Sequence, residues 1–121
     1  MASAVIIVIG VFFLGMGGYA LAMPAALARP FRIRADHPEA RSEIRAVYGG
    51  FGIAVAAALA LAAVDVNGIR TGVVITVGLA LTGMAFGRVV SRLLDTPTGF
   101  YPIWFYFVVE AGAAGLLFVA A

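Results

Sequence analysis

One acidic residue, Glu110, lies near the middle of an apolar stretch that runs from Phe100 to Ala121. The stretch is long enough to cross a bilayer, which takes about 20 residues. An ionised side chain at the bilayer centre costs about 2.5–3.5 kcal/mol on insertion scales. The carboxyl group must therefore be protonated, paired or in contact with water. Its role is either structural, as an interhelical ion pair or hydrogen bond, or functional, in proton-linked chemistry, ligand binding or gating.

Three side chains are predicted to lie within reach of Glu110. Arg45 and Arg88 belong to other apolar stretches, near the ends expected to share a membrane face with the start of the Glu110 stretch. Tyr106 lies one helical turn before Glu110 on the same helix face, so its hydroxyl is placed to donate a hydrogen bond. The structural and functional interpretations both stay open. An ion pair that holds two helices together and a ligand-binding site would use the same partners of Glu110.

Paired arginines extend this polar group. Arg88 and Arg92 are one turn apart, as are Arg41 and Arg45, and like charges at that spacing repel unless an anion lies between them. The anion is a nearby acid such as Glu43 or a lipid headgroup; alternatively, the arginines only anchor the helices at the membrane surface. The candidate polar cluster comprises Glu110, Arg45, Arg88, Arg92, Tyr106, Glu43 and Tyr48.

The sequence offers no constellation of residues for nucleophilic catalysis or metal binding. It has no Cys, and its one histidine, His37, lies in a polar loop, so neither a thiol chemistry nor a histidine cluster can be assembled. An enzyme would have to use Glu110 as its acid or base. The arginines lie in and beside the connections between apolar stretches and do not form one basic face, which gives nucleic-acid binding little support. We expect no catalytic site, no metal and no cofactor.

The composition requires a membrane protein. Of the 121 residues, 64% are apolar and the mean hydropathy is +1.09, whereas soluble domains are about 45–50% apolar. Apolar runs separated by Pro24, by Asn67-Gly68 and by Pro97 predict one domain, residues 1–121, with transmembrane helices over about 2–23, 38–63, 69–92 and 101–120. Short connections make neighbouring helices antiparallel. The predicted fold class is an all-α integral membrane protein, a four-helix up-down-up-down bundle.

The distribution of charge sets the expected orientation. All the arginines except Arg70 lie at or beside the connections that follow the first and third apolar helices, and these two connections share one membrane face. Because positively charged loops stay in the cytoplasm, that face is expected to be cytoplasmic and both termini to lie outside. We therefore expect a multi-pass protein of the bacterial inner membrane.

Small residues predict where helices meet, because lipid provides no hydrophobic drive for helices to associate. Gly49 and Gly52 begin a smooth stripe on the second apolar helix. Gly83 and Gly87 form a stripe on the third, and Gly115 belongs to one on the fourth. The favoured interpretation is packing within the bundle, and the alternative is packing against a partner protein.

The second apolar helix begins Glu43-Ile44-Arg45-Ala46-Val47-Tyr48-Gly49-Gly50. With Gly87-Arg88 and Arg92, Asp95 and Gly99, and then Glu110, this pattern resembles a bacterial family of small four-helix membrane proteins catalogued as domain of unknown function 4345. The resemblance covers nearly the whole chain. It implies a four-helix fold and a set of polar residues that coincides with those chosen above, and it carries no established activity.

Two functions fit these features. The leading hypothesis is a non-enzymatic accessory subunit that docks into a larger membrane complex and stabilises or regulates it, since extramembrane loops are small and small-residue helix faces are abundant. The alternative is a protein that binds or transports a lipid or small amphiphile beside Glu110 and the arginines of the cytoplasmic side. A membrane enzyme is a third possibility. The expected partners are membrane lipids and either another membrane protein or further copies of the chain, without nucleic acid.

Overall fold

The computed structural model describes residues 1–121, the whole chain, and contains helices and no strand. Four of its helices are long and apolar enough to cross a membrane. This finding confirms the predicted all-α class with four membrane-spanning helices. The helices are α1 (Ala2–Ala22), the short α2 (Pro24–Ala28), α3 (Pro38–Ala63), α4 (Arg70–Leu94) and α5 (Phe100–Ala120).

Residues that cannot continue a helix set the helix ends. Met23 leaves the helical region (φ −136°, ψ 65°), as residues before a proline tend to do. Pro24 and Pro38 then open α2 and α3, at a position where the missing N–H group costs nothing. Between α3 and α4 the chain turns at Asn67-Gly68, where both residues have positive φ. The turn is short, so α3 and α4 are held side by side.

Contacts along the helices show that neighbours are antiparallel. Ser3, at the start of α1, donates a hydrogen bond to the carbonyl of Ala63 at the end of α3 (3.0 Å). Farther along, Gly17 of α1 approaches Gly49 near the start of α3. The closest pairs of long helices are α1 with α3 and α4 with α5, and contacts between these two hairpins are sparser. The bundle is therefore two tight hairpins that meet less closely.

Aliphatic side chains from all four long helices form the core. Ile6, Leu59, Val74 and Leu117 are fully buried, one from each helix. A smaller core lies under the connection between α1 and α3. It is formed by Ala20, Ala28, Ala35 and Ile44. This second core holds the connection against the bundle, which places the residues of the connection over one end of the helices.

Three glycines allow the backbones of α1 and α3 to approach. A Cβ atom added at Gly52 would lie 3.3 Å from the Cα atom of Gly17, and one at Gly17 would lie 2.8 Å from the carbonyl oxygen of Gly49. Gly49 in turn lies against Leu21. Small residues thus give close van der Waals contact between these two helices, the interaction that holds helices together in lipid.

The other three predicted packing glycines contact no neighbouring helix. A Cβ atom added at Gly83, Gly87 or Gly115 would have no atom of another helix within 4 Å. The expectation that they pack inside the bundle is therefore wrong, because the faces of α4 and α5 that meet lie elsewhere. Gly78, which sequence analysis did not select, is the α4 glycine in contact, and it lies against the ring of Phe118.

At the bundle end that holds both termini, Arg70 ties three helices together. Its Nε atom donates to the carbonyl of Ala62 (3.0 Å), and its Nη2 atom donates to the carbonyl of Ala63 (2.7 Å) and to Ser3 Oγ (2.9 Å). The guanidinium group thereby satisfies carbonyls left open at the C-terminus of α3. In the sequence, Arg70 is distinguished only as the arginine of the opposite membrane face.

We expect Gly17→Ala to destabilise the fold while Gly18→Ala does not. A Cβ atom at Gly17 would lie 2.9 Å from the backbone nitrogen of Ile53, whereas Gly18 has nothing within 4 Å. Overpacking typically costs about 1–3 kcal/mol, and alanine in a helix is favoured over glycine by up to about 1 kcal/mol. Thermal unfolding of both variants in detergent micelles measures the difference. Equal melting temperatures would contradict the close approach of α1 and α3.

Candidate functional site

A two-pronged ion pair joins α4 to α5. Arg88 Nε donates to Glu110 Oε1 (2.8 Å) and Arg88 Nη2 donates to Glu110 Oε2 (2.7 Å). Glu110 is 4% exposed, and the Arg88 side chain is 20% exposed. Paired hydrogen bonds of this kind are strong and fix the orientation of both planes. The pair therefore settles how the Glu110 charge is accommodated inside an apolar helix.

Two aromatic rings cover the guanidinium group. The Cζ atom of Arg88 lies 5.9 Å from the ring centre of Phe31 and 5.7 Å from that of Tyr106, and the two ring centres are 5.3 Å apart. Such placement attracts a cation to the ring faces. Tyr106 therefore contacts Arg88 and makes no hydrogen bond to Glu110, contrary to the expectation. Phe31 comes from the connection between α1 and α3, which closes this side of the pair.

A small cavity of about 60 Å³ lies beside the ion pair. The polar residues of its wall are Glu110, Arg88, Tyr48 and Tyr106, and the rest of the wall is formed by apolar side chains from α1, the connection, α3 and α4. A volume of this size is large enough for water. The cavity is mostly apolar, so the ion pair is largely shielded from solvent on this side.

On its other side, Arg88 lines a larger cleft of about 400 Å³. The cleft lies between α3, α4 and the start of α5, and the connection between α4 and α5 closes one edge. We call it the arginine cleft. Its polar lining consists of Tyr48, Arg88, Ser91, Arg92, Thr96 and Thr98.

The arginine cleft carries an excess of positive charge. Arg88 is neutralised by Glu110, but Arg92, one turn farther, is exposed and has no salt bridge. No acidic residue lines the cleft. A guanidinium group has five N–H donors, and Arg88 uses only two of them on Glu110. The cleft thus presents spare arginine donors and hydroxyl groups with no carboxylate to compete, an arrangement suited to an anion.

Two members of the predicted polar cluster lie elsewhere. The Nε atom of Arg45 donates to the carbonyl of Leu21 (3.0 Å) at the end of α1, so Arg88 and not Arg45 is the one of the two candidate partners that pairs with Glu110. The open carbonyls at a helix C-terminus attract a nearby guanidinium group. Glu43 is exposed and borders a shallow surface pocket with Pro38. The structure therefore brings together Glu110, Arg88, Tyr106 and Tyr48, with Arg92 at the adjoining cleft.

Several residues of the site were missed by sequence analysis. Phe31 lies in a polar connection far from Glu110 in the sequence, so no sequence pattern indicated that the two residues are close in space. Thr96 and Thr98 follow α4 as ordinary loop residues, although both line the arginine cleft. Trp104, from the aromatic-rich start of α5, lines the same cleft. Tyr48 was selected, and its position in a π-helical turn, Arg45–Gly50, is typical of functional segments.

Comparison with known proteins places the chain in a family. A family model described as "Domain of unknown function (DUF4345)" matches residues 1–121, which confirms the resemblance drawn from the sequence motifs. Neither a search of curated proteins nor a search of solved structures gives a match.

We expect Arg88→Met to destabilise the protein strongly and the double variant Arg88→Met/Glu110→Leu to recover most of the loss. Removing one partner leaves a buried, unpaired carboxyl group, which costs about 3–5 kcal/mol, whereas replacing both by apolar residues is often close to neutral. Unfolding by heat in detergent micelles measures both. Arg92→Met is the control and should change stability by less than about 0.5 kcal/mol. A double variant as unstable as Arg88→Met would rule out the pair as the cause.

Proposed function

The chain belongs to this family, and from the geometry of its site we propose that it binds an anionic amphiphile, a membrane lipid or a molecule of similar build. The arginine cleft would hold the anionic headgroup, and the apolar surroundings of the cleft would accommodate the rest of the molecule. The single observation that carries the proposal is the cationic cleft itself. Its spare donors come from Arg88 and Arg92, and no acidic side chain lines it.

The position of the cleft along the helices supports a lipid headgroup as the anion. Arg92 lies within three residues of the end of α4, which spans Arg70–Leu94. Basic pockets between helices near a membrane surface are a known arrangement for lipid headgroups. Trp104, on the opposite wall, is a residue type enriched at the membrane–water interface.

The ion pair has a supporting role in this proposal. Glu110 holds the guanidinium plane of Arg88 in one orientation through two hydrogen bonds, so the unused N–H groups of Arg88 keep a fixed direction. A binding group whose orientation is fixed in advance loses less conformational entropy when a ligand binds. The structural and functional interpretations of Glu110 are therefore compatible.

For the orientation, we propose that the arginine cleft faces the cytoplasm of a bacterial cell and that both termini lie outside the inner membrane. The support is the excess of arginines around the connections that follow α1 and α4, because such loops are retained in the cytoplasm. The headgroup would then belong to the inner leaflet, whose surface is negatively charged.

We expect Arg92→Gln to weaken retention of an anionic lipid by about tenfold or more, because a hydrogen bond to a charged group contributes about 1.5–3 kcal/mol. Native mass spectrometry of the detergent-solubilised protein, given equal amounts of phosphatidylglycerol and phosphatidylcholine with the same chains, measures retention of each lipid. Phosphatidylglycerol should be retained in preference by the unchanged protein.

The matched control for this experiment is Arg29→Gln, which removes one positive charge from an exposed residue outside the arginine cleft. Its retention of phosphatidylglycerol should equal that of the unchanged protein. If Arg92→Gln and Arg29→Gln reduce retention equally, the attraction comes from overall surface charge, and the cleft is not the binding site.

A second candidate function is the accessory subunit of a larger membrane complex. It is favoured by the outward glycines Gly83, Gly112 and Gly115, around which a Cβ atom would meet nothing. Small residues at a lipid-facing surface permit close approach of a helix from another protein. Such a partner would cover the outer faces of α4 and α5.

The two candidates predict different results in cells. If the protein is an accessory subunit, gentle extraction followed by native mass spectrometry should release a stoichiometric second polypeptide. The partner should be lost in Gly115→Leu and kept in Arg92→Gln, because only the first change fills the outer face of α5. A chain that is released alone, in both variants and in the unchanged form, would contradict this candidate.

A further inference from the structure

We propose that the ligand at the arginine cleft is a long-chain amphiphile, one apolar chain of which lies in a groove between α3 and α4. The inference rests on the proposed function and adds to it the class of molecule. The chain would pass the middle of the bilayer while in contact with the protein along most of its length.

The groove between α3 and α4 is a long apolar depression of about 630 Å³. Small side chains form much of it, with Ala54 and Ala58 on α3 facing Gly72 and Ala80 on α4. Thr76 is also present, but its hydroxyl donates to the carbonyl of Gly72 (2.8 Å) within its own helix. The groove therefore offers a nearly apolar surface without unpaired polar groups, which suits a hydrocarbon chain.

The groove adjoins the arginine cleft. Met84 lines both spaces. On α3, Tyr48 of the cleft and Phe51 of the groove are one turn apart. A molecule with its anionic group beside Arg92 would therefore pass Met84 to enter the groove. A cationic cleft next to an apolar groove is the arrangement that an anionic amphiphile requires.

The length of the groove indicates a long chain. Its lining on α4 extends from Ile69 to Met84, which is about 22 Å at a rise of about 1.5 Å per residue. One leaflet of the hydrocarbon core is about 15 Å thick. The anionic group at Arg92 lies eight residues, or about 12 Å, from Met84. An extended chain advances about 1.2 Å per bond, so a chain of about 18 carbons would pass the midplane and reach the middle of the groove, near Thr76 and Val77.

The width of the groove favours a chain over a helix from another protein. A helix is about 10 Å across, and 22 Å of such a helix would occupy about 1,700 Å³. The groove holds about 630 Å³, so a helix would stand mostly outside it. Since lipid already surrounds the protein, the chain gains no hydrophobic transfer energy, and the groove selects it by van der Waals contact and shape.

The test uses octadecyl phosphate that carries a photoreactive diazirine on its terminal carbon. After irradiation of the protein in detergent micelles, tandem mass spectrometry locates the labelled residues. We expect labels to be concentrated in the middle of the groove, around Thr76 and Val77. Decyl phosphate with the same group should label residues closer to Met84, because its chain is shorter.

Variants separate the groove from the lipid-facing surface in general. Ala80→Leu fills the groove and should reduce labelling around Val77 about fivefold or more, whereas Ala111→Leu, on an exposed face of α5, should not. Labels scattered over outward residues such as Val8 and Val108, or labelling unaffected by Ala80→Leu, would overturn the inference about the chain.

A further variant distinguishes failure of this inference from failure of the proposed function. If Arg92→Gln lowers retention of the phosphate probe while the labels lie outside the groove, the headgroup site stands and only the path of the chain is wrong. If Arg92→Gln changes neither retention nor labelling, the arginine cleft does not bind the anion and both proposals fail.

Discussion

The structure depends on one constraint, the cost of a charge inside a membrane-spanning helix. Glu110 is nearly fully buried in α5, and Arg88 of α4 meets it with two hydrogen bonds. An unpaired charge in this position would be costly, and a paired one fixes the register of the two helices. Because Arg88 is held in this way, Phe31 and Tyr106 can cover its guanidinium group, and the same side chain lines the arginine cleft.

A second constraint is the absence of a hydrophobic drive between helices in lipid. Close backbone approach occurs where glycines allow it, at Gly17 and Gly52 between α1 and α3. The α3–α4 pair lacks such contact, although a short turn joins the two helices and Arg70 links their ends. The groove follows from this difference, since α3 and α4 are held side by side with small residues facing a gap.

Much of the fold could be anticipated from the sequence, and about half of the site. The four long helices were predicted because apolar length and proline or glycine breakers are properties of consecutive residues. Arg88 was one of two candidate partners for Glu110, and no local pattern separated it from Arg45. The choice between them depended on where the end of α1 lies, since its open carbonyl at Leu21 takes the Arg45 side chain.

The sequence by itself determined the class of protein, the number of spans and the need for a partner at Glu110. The reason is that the free energy of placing a segment in lipid depends on its length and on the polarity of its own residues. Only the tertiary structure decided which face of each helix is covered. It placed Gly83 and Gly115 outward, Gly87 at the arginine cleft and Gly78 inward. It also carried Phe31 to the ion pair and placed the arginine cleft next to an apolar groove at Met84. The physical reason is that rotation of a helix about its axis depends on contacts between segments far apart in the chain.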